Sequence, residues 1–332
     1  GRRWSAADAF LRPALQRPNL RLVSNTLVER IVVENGVATA VEYRVGSSLK
    51  RANAAREVIV SAGAVNSPQL LQLSGIGQAE LLKVHGIEVQ KDLSQVGQGL
   101  QDHLGISHQF EASKPTLNNR LGNRVGKFIA GLQYVLRRDG PLSVPVNQIS
   151  GFVRSDPRKP ADIQLYGNPM SYAIRPDGKA DVDAKAGFLI SAQPCRPTSR
   201  GDVAIKSADP KVAPVIRPNS LSTEADCAMA IKASRIAQKL AETPEMRSVV
   251  LDGPDMSAMS DDDLLADFRA RAGSVYHASC TCRMGHSEKD SVLDARLRVR
   301  GVTGLRVVDA SSFPNVTSGN TNAPVMMLAA RG

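Results

Sequence analysis

The chain has 332 residues, 42% of them hydrophobic and 22% charged, which is enough to bury a sizeable core and too apolar for a disordered polymer. Its formal net charge of +10 raises a nucleic-acid partner, but the basic residues are scattered and aromatic residues make up only 4%, so a base-stacking platform is excluded and a basic globular surface is left. No apolar run approaches the ~18 residues of a membrane span, so no transmembrane segment is expected.

The opening Gly1-Arg2-Arg3-Trp4-Ser5 has neither an initiator Met nor a signal-peptide pattern, and Ser5-Ala6-Ala7-Asp8 reads as a helix cap. The expectation is a chain that enters in mid-structure. Residues 20–33 carry two strand-like runs around a polar turn, and Asn35-Gly36 is a hairpin signal before a returning strand over 38–44. Glu57 to Ser61 is a short apolar run that enters Ala62-Gly63, the pattern of a buried parallel strand feeding a helix. Ser67 and Pro68 predict that helix's N-cap and first residue, and Ser74-Gly75 its end.

From 106 to 215 the texture changes to prolines and short alternating runs, at 150–154, 162–166, 187–192 and 202–206. These predict antiparallel strands. An amphipathic helix follows over 223–245, with Ala228, Ile231, Ile236 and Leu240 on its apolar face, then a second over 261–269 with acids at its start. Gly304 to Asp309 is another apolar strand, ending in an acid, and Pro324 to Ala330 a final helix with Asn322 or Ala323 at its cap.

Three constellations could carry chemistry. In the first, small residues at Ser61-Ala62-Gly63-Ala64 line a strand-to-helix turn where a planar or charged group could approach the backbone. The second is His277-Ala278-Ser279-Cys280-Thr281-Cys282-Arg283-Met284-Gly285-His286, which contains four metal-ligand types. Its H-x2-C-x-C-x3-H spacing is not that of the common zinc folds, and no metal is expected. His277 is then either a satisfied structural histidine or a catalytic one. In the third, Asp309 ends an apolar strand, where ligands bind in open α/β sheets, and the helix near Pro324 would present a partly positive end to an anion. No G-x-G-x-x-G occurs; Gly97-Gln98-Gly99 has Asp102 where the third glycine would stand. The cysteines (Cys195, Cys227, Cys280, Cys282) form no disulfide framework, which fits a reducing, cytoplasmic compartment.

The run Ser61 to Gly77 resembles the second signature of the glucose–methanol–choline (GMC) oxidoreductases. Val96-Gly97-Gln98-Gly99-Leu100-Gln101-Asp102-His103-Leu104 and the opening Gly1 to Ser5 are similar to the same family, and the matches follow its order along nearly the whole chain. The resemblance implies a mixed α/β fold, with an incomplete, Rossmann-like FAD-binding domain (1–105 and 270–332) and an antiparallel-sheet substrate domain with covering helices (106–269). The family's N-terminal βαβ segment is expected to be missing. The resemblance further implies an FAD-dependent enzyme that oxidises a primary or secondary alcohol to an aldehyde or ketone. Gln148 stands where choline-handling relatives carry a glutamate, and a neutral amide pairs poorly with a quaternary ammonium, which argues against choline itself. His277 would be the base and Asn320 its partner on the substrate oxygen; 43 residues apart, they must meet through the fold. Val28 would touch the adenine, Asp309 and Ala310 the ribityl–phosphate region, and Asn322, Ala323, Pro324 and Val325 the isoalloxazine ring. Partners would be a small-molecule alcohol and an electron acceptor, whether a quinone, another carrier or dioxygen. The alternative is a cofactor-less fragment or binding module derived from a flavoprotein.

Overall fold

The computed structural model describes residues 4–175 and 177–332, so most of the Gly1–Ser5 run lies outside the described residues. In chain order the elements that matter are β1 (Thr26–Glu34), β2 (Val37–Val45), β3 (Ser48–Asn53), β4 (Val58–Val60) and helix α1 (Gly63–Leu73). There follow β5 (Leu104–Ala112), α2 (Arg124–Arg137), β6 (Ile149–Val153), β7 (Ile163–Asn168) and β8 (Gly187–Pro194). The chain then forms α3 (Glu224–Ala241), β9 (Val250–Asp252), α4 (Asp261–Arg271), β10 (Leu305–Val307) and α5 (Asn322–Arg331). They fall into two compact units, one of residues 1–22, 105–194 and 227–273, the other of residues 23–104, 195–226 and 274–332.

In the second unit β1, β2 and β3 form an antiparallel sheet. Asn35 (φ 52°) and Gly36 (φ 76°) both take positive φ between β1 and β2, the geometry that makes Asn-Gly a hairpin turn. Residues 20–25 stay outside any strand, so the first of the two expected runs is not one; Asn25 turns the chain at φ 55° just before β1. β4 and β10 pair in parallel, Val58 opposite Leu305 and Val60 opposite Val307, as their buried apolar character predicts. Around them pack Ile31, Leu71, Ile76, Leu93, Leu293 and Leu297, the core of this unit. The 201–204 strand, expected among the antiparallel run, pairs here with 215–217 and 98–100.

In the first unit the antiparallel order is β9–β5–β8–β7–β6. Phe110 and Phe188 lie opposite one another on β5 and β8 and stack at 5.3 Å between centroids. Three features differ from the sequence reading. Residues 124–137, expected within strand-like texture, form a helix: Asn123 caps it by accepting from the Gly126 N–H, and Arg138 closes it in the left-handed conformation. The buried stripe of α3 is Ala230, Ala233, Ser234 and Ala237, while Leu240 is exposed and Ile231 and Ile236 only half-buried. Small side chains at i, i+3, i+4 and i+7 let that helix approach its neighbours closely, and this decides the face over residue size. Finally, α4 begins at a full capping box, Ser260 with Asp263, and runs two residues past its expected end.

Candidate active site and cofactor-contact residues

All of the candidate site residues lie in the second unit. α1 begins at Gly63 (φ 85°), not at Ser67 and Pro68, which sit inside it. A proline in a helix interior leaves the carbonyl four residues earlier without its N–H. That carbonyl belongs to Ala64, and the fully buried Thr281 hydroxyl donates to it at 2.6 Å. Ser67 is thereby released from capping. It accepts from the Ala62 N–H at 3.1 Å and donates to Asp309 at 2.5 Å.

Asp309, expected to end the strand, stands two residues past its last residue, Val307, and its carboxylate is filled by the chain itself. Oδ2 accepts from the Gly63 N–H (2.9 Å) and Ser67; Oδ1 accepts from the Ser311 N–H (2.8 Å) and hydroxyl (2.5 Å). The side chain locks the end of β10 to the start of α1 and caps the short 3-10 turn Ala310–Ser312. The carbonyl of Ala310 accepts from the Cys280 N–H, so the same turn fixes the His277 segment.

Val28 on β1 is 37% exposed and lines a cavity of about 330 Å3 with Thr26, Leu27, Ala62, Asn66 and Gln69. Asn322, Ala323, Pro324 and Val325 form the first turn of α5. The helix starts two residues before Pro324, with Thr321 at the N-cap position and no side chain capping it. Pro324 fits there because the first four N–H groups of a helix have no internal acceptor; the first to close is Val325, onto the Thr321 carbonyl at 3.0 Å. Asn320 is exposed, in the loop leading into α5.

His277 is nine-tenths buried, between two residues in the left-handed region, Tyr276 (φ 65°) and Cys280 (φ 76°). Such conformations in non-glycine residues cost of order 1–3 kcal/mol each and persist where surrounding bonds fix them. Here the Tyr276 N–H donates to Ser274, the His277 N–H to Asp102 Oδ1 (2.9 Å), and Ser279 pairs with Gln101. Ser274 also donates to the second oxygen of Asp102.

Sequence reading did not single out His103, yet it is the residue that defines this site. It is fully buried, its Nδ1 lies 2.9 Å from Nδ1 of His277, and its Nε2 lies 2.9 Å from the Cys195 carbonyl. The rings meet edge-on at 88°. Burial pushes both imidazoles below the ordinary histidine range; at His277 the nearby Asp102 charge opposes the shift. Both rings are therefore neutral at neutral pH, and the tautomers follow. A carbonyl only accepts, so His103 Nε2 carries a proton and its Nδ1 a lone pair. His277 Nδ1 must then donate, which leaves the lone pair of His277 on Nε2. The signal for His103 and Asp102 was present in the Gln101-Asp102-His103 run, but only the fold shows that it backs His277.

Cys280 and Cys282 are fully buried. Burial pushes the Cys280 thiol up to about 12 and the Cys282 thiol higher still, so both are protonated thiols. Among the described residues no group of three His, Cys, Asp or Glu side chains could hold a metal ion. Gly97 (φ 84°) and Gly99 (φ 83°) serve close approach rather than a phosphate: a Cβ on Gly97 would strike the Val203 carbonyl, and one on Gly99 the Arg283 guanidinium.

The sequence matches the GMC oxidoreductase family over residues 1–105 and again over 197–329. The chain belongs to the GMC oxidoreductases. It is 41% identical over 99% of its length to mitochondrial choline dehydrogenase of Homo sapiens, and 38% identical over 99% to alcohol dehydrogenase [acceptor] of Pseudomonas putida. The chain spans 56% and 60% of the lengths of these two relatives. The fold matches pyridoxine 4-oxidase from Mesorbium loti with a TM-score of 0.84 at 25% identity, covering 98% of this chain and 60% of that one. Both curated relatives carry the names of oxidising enzymes, which does not favour a non-catalytic binding module.

Proposed function

We propose that this GMC chain carries the proton-abstracting half of an FAD-dependent alcohol oxidation, with His277 as the base. The observation that carries the reading is the His103–His277 contact, because it presents a lone pair at His277 Nε2. A base poised in this way removes the hydroxyl proton as the alcohol is oxidised to an aldehyde or ketone. His277 Nδ1 keeps its bond to His103 while Nε2 gains the proton, so the ring does not turn during transfer. The Asp102 carboxylate, held against the His277 backbone, stabilises the imidazolium that results. Asn320 is proposed to hydrogen-bond the substrate oxygen. The names of the relatives point to choline or another alcohol as the substrate class.

The residues present fit a flavin dinucleotide. The cavity at Val28, about 330 Å3, is within the usual size of a small-molecule site, roughly 300–1,000 Å3, and has an apolar wall suited to a base. Backbone at Ala310 and the uncapped first turn of α5, Asn322 to Val325, would face the rest of the group, the helix end favouring negative charge. When bound, FAD supplies acceptance of the hydride from the alcohol carbon. In this reading residues 23–104 and 274–332 hold the cofactor.

In the flavin-loaded polypeptide, His277→Ala should lower alcohol oxidation by ~10²-fold or more while flavin absorbance is kept. His103→Ala should lower kcat and move the rising limb of the pH–rate profile to higher pH, since water entering the vacated space relieves the burial that depresses His277. A His277→Ala protein that binds flavin and keeps its full rate at neutral pH would overturn the assignment.

A further inference from the structure

Helix α2 turns its apolar face outward. Val125, Phe128, Ile129, Leu132, Val135 and Leu136 are between 48% and 73% exposed. Their spacing (i, i+3, i+4, i+7, i+10, i+11) places them on a single stripe of the helix. The one fully buried residue, Ala130, lies on the opposite side. A helix that packs through an alanine and presents six large apolar side chains to solvent is the reverse of a core helix. Beyond the helix, Leu142, Val144 and Val146 are also exposed.

The charges around this face select its occupant. Between residues 114 and 154 there are seven basic residues and one acid. On the helix itself Arg124 and Lys127 follow one edge of the stripe, both exposed, while Arg137 lies in the last turn on the side of Ala130. Fourteen residues make a helix roughly 21 Å long, too short to span a bilayer. Among the described residues no helix is long and apolar enough to cross a membrane. Apolar face out, cations along one edge and no spanning length are the features of a helix that lies in the plane of a lipid surface. There the side chains sink below the headgroups and the cations meet anionic phosphates.

We propose that α2 is an interfacial docking helix for an anionic bilayer surface, entering by Phe128, Leu132 and Leu136 and held by Arg124 and Lys127. The test is co-sedimentation of the protein with vesicles of mixed phosphatidylcholine and phosphatidylglycerol, beside vesicles of phosphatidylcholine alone. Binding to the mixed vesicles should be ~10-fold or more tighter than to the neutral ones and should fall as salt is raised. Leu132→Asp with Leu136→Asp should reduce it at least ~10-fold, since each change withdraws a buried apolar side chain. Arg124→Glu with Lys127→Glu should remove the preference for the anionic vesicles. All four positions are exposed, so circular dichroism should show an unchanged fold. A reporter avoids dependence on loss alone: in a Trp4→Phe background, Phe128→Trp should show blue-shifted emission on adding mixed vesicles. Three results overturn the proposal. One is no vesicle binding, or binding that the substitutions leave intact. Another is concentration-dependent self-association that Leu132→Asp abolishes, which would make a second copy the occupant. The third is protection of residues 124–137 from hydrogen exchange without vesicles in a longer natural polypeptide bearing this chain, which would make the occupant another part of that polypeptide.

Discussion

Removing one methyl-sized hydroxyl should expose how α1 tolerates its proline. Thr281→Val keeps the volume at a fully buried position but deletes the donor that reaches the Ala64 carbonyl at 2.6 Å. Pro68 denies that carbonyl its helical N–H, so the substitution leaves a buried acceptor unsatisfied, at a cost of about 1–3 kcal/mol. In a Pro68→Ala background the new N–H can bond the same carbonyl. There Thr281→Val should cost less, by about 1–2 kcal/mol, even though Pro68→Ala alone loosens the unfolded chain by about 0.4–1 kcal/mol. Urea unfolding of the four proteins, followed by far-ultraviolet circular dichroism, measures the coupling. The reasoning is refuted if Thr281→Val costs the same in both backgrounds to within ~0.5 kcal/mol, the scatter of independent sites.

Other consequences can be checked as directly. His108 on β5 is fully buried, and burial, with Arg271 nearby, pushes it down to about 4. The unfolded chain therefore binds the extra proton first as pH falls. Stability present above about pH 6.5 should decline towards pH 4, with a loss from this residue of about 2 kcal/mol by pH 5. Urea midpoints measured from pH 7 to 5 should show that slope, and His108→Leu should flatten it; an unchanged slope would exonerate His108. Gly97→Ala should destabilise by about 1–3 kcal/mol or more, because it forces a side chain into the left-handed region and against the Val203 carbonyl. A soluble Gly97→Ala protein with an unchanged thermal midpoint would contradict the glycine's assigned role.

What could be read from the residues was mostly what local chemistry decides. The Asn35-Gly36 hairpin, the parallel pairing of the strands at Val58 and Leu305, and the helix that opens on the acids at 261–263 follow from turn propensity, apolar runs and charge at a helix start. Where tertiary partners decide, reading ran out. Ser67-Pro68 looks like a helix start because no sequence rule foresees a threonine more than two hundred residues later filling the gap that proline leaves. α3 buries its alanines because closeness of approach outweighs the greater size of Ile231 and Ile236. α2 escaped notice because its apolar residues face solvent, against the expectation that such residues mark a core. At the candidate site, His277 stood out by its motif. His103, whose ring selects which nitrogen of His277 is basic, lies 174 residues away and announces itself only in space.

The histidine pair also has a blind end. On the proposed reading the outer ring takes a proton at Nε2, but the inner ring's far nitrogen already gives its hydrogen to the Cys195 carbonyl, which has none to exchange. A proton delivered to His277 therefore has no inward exit. It would have to leave from the same Nε2, so in the proposed oxidation each turnover would end with that nitrogen giving its proton to water or to a departing base before the next alcohol could be deprotonated.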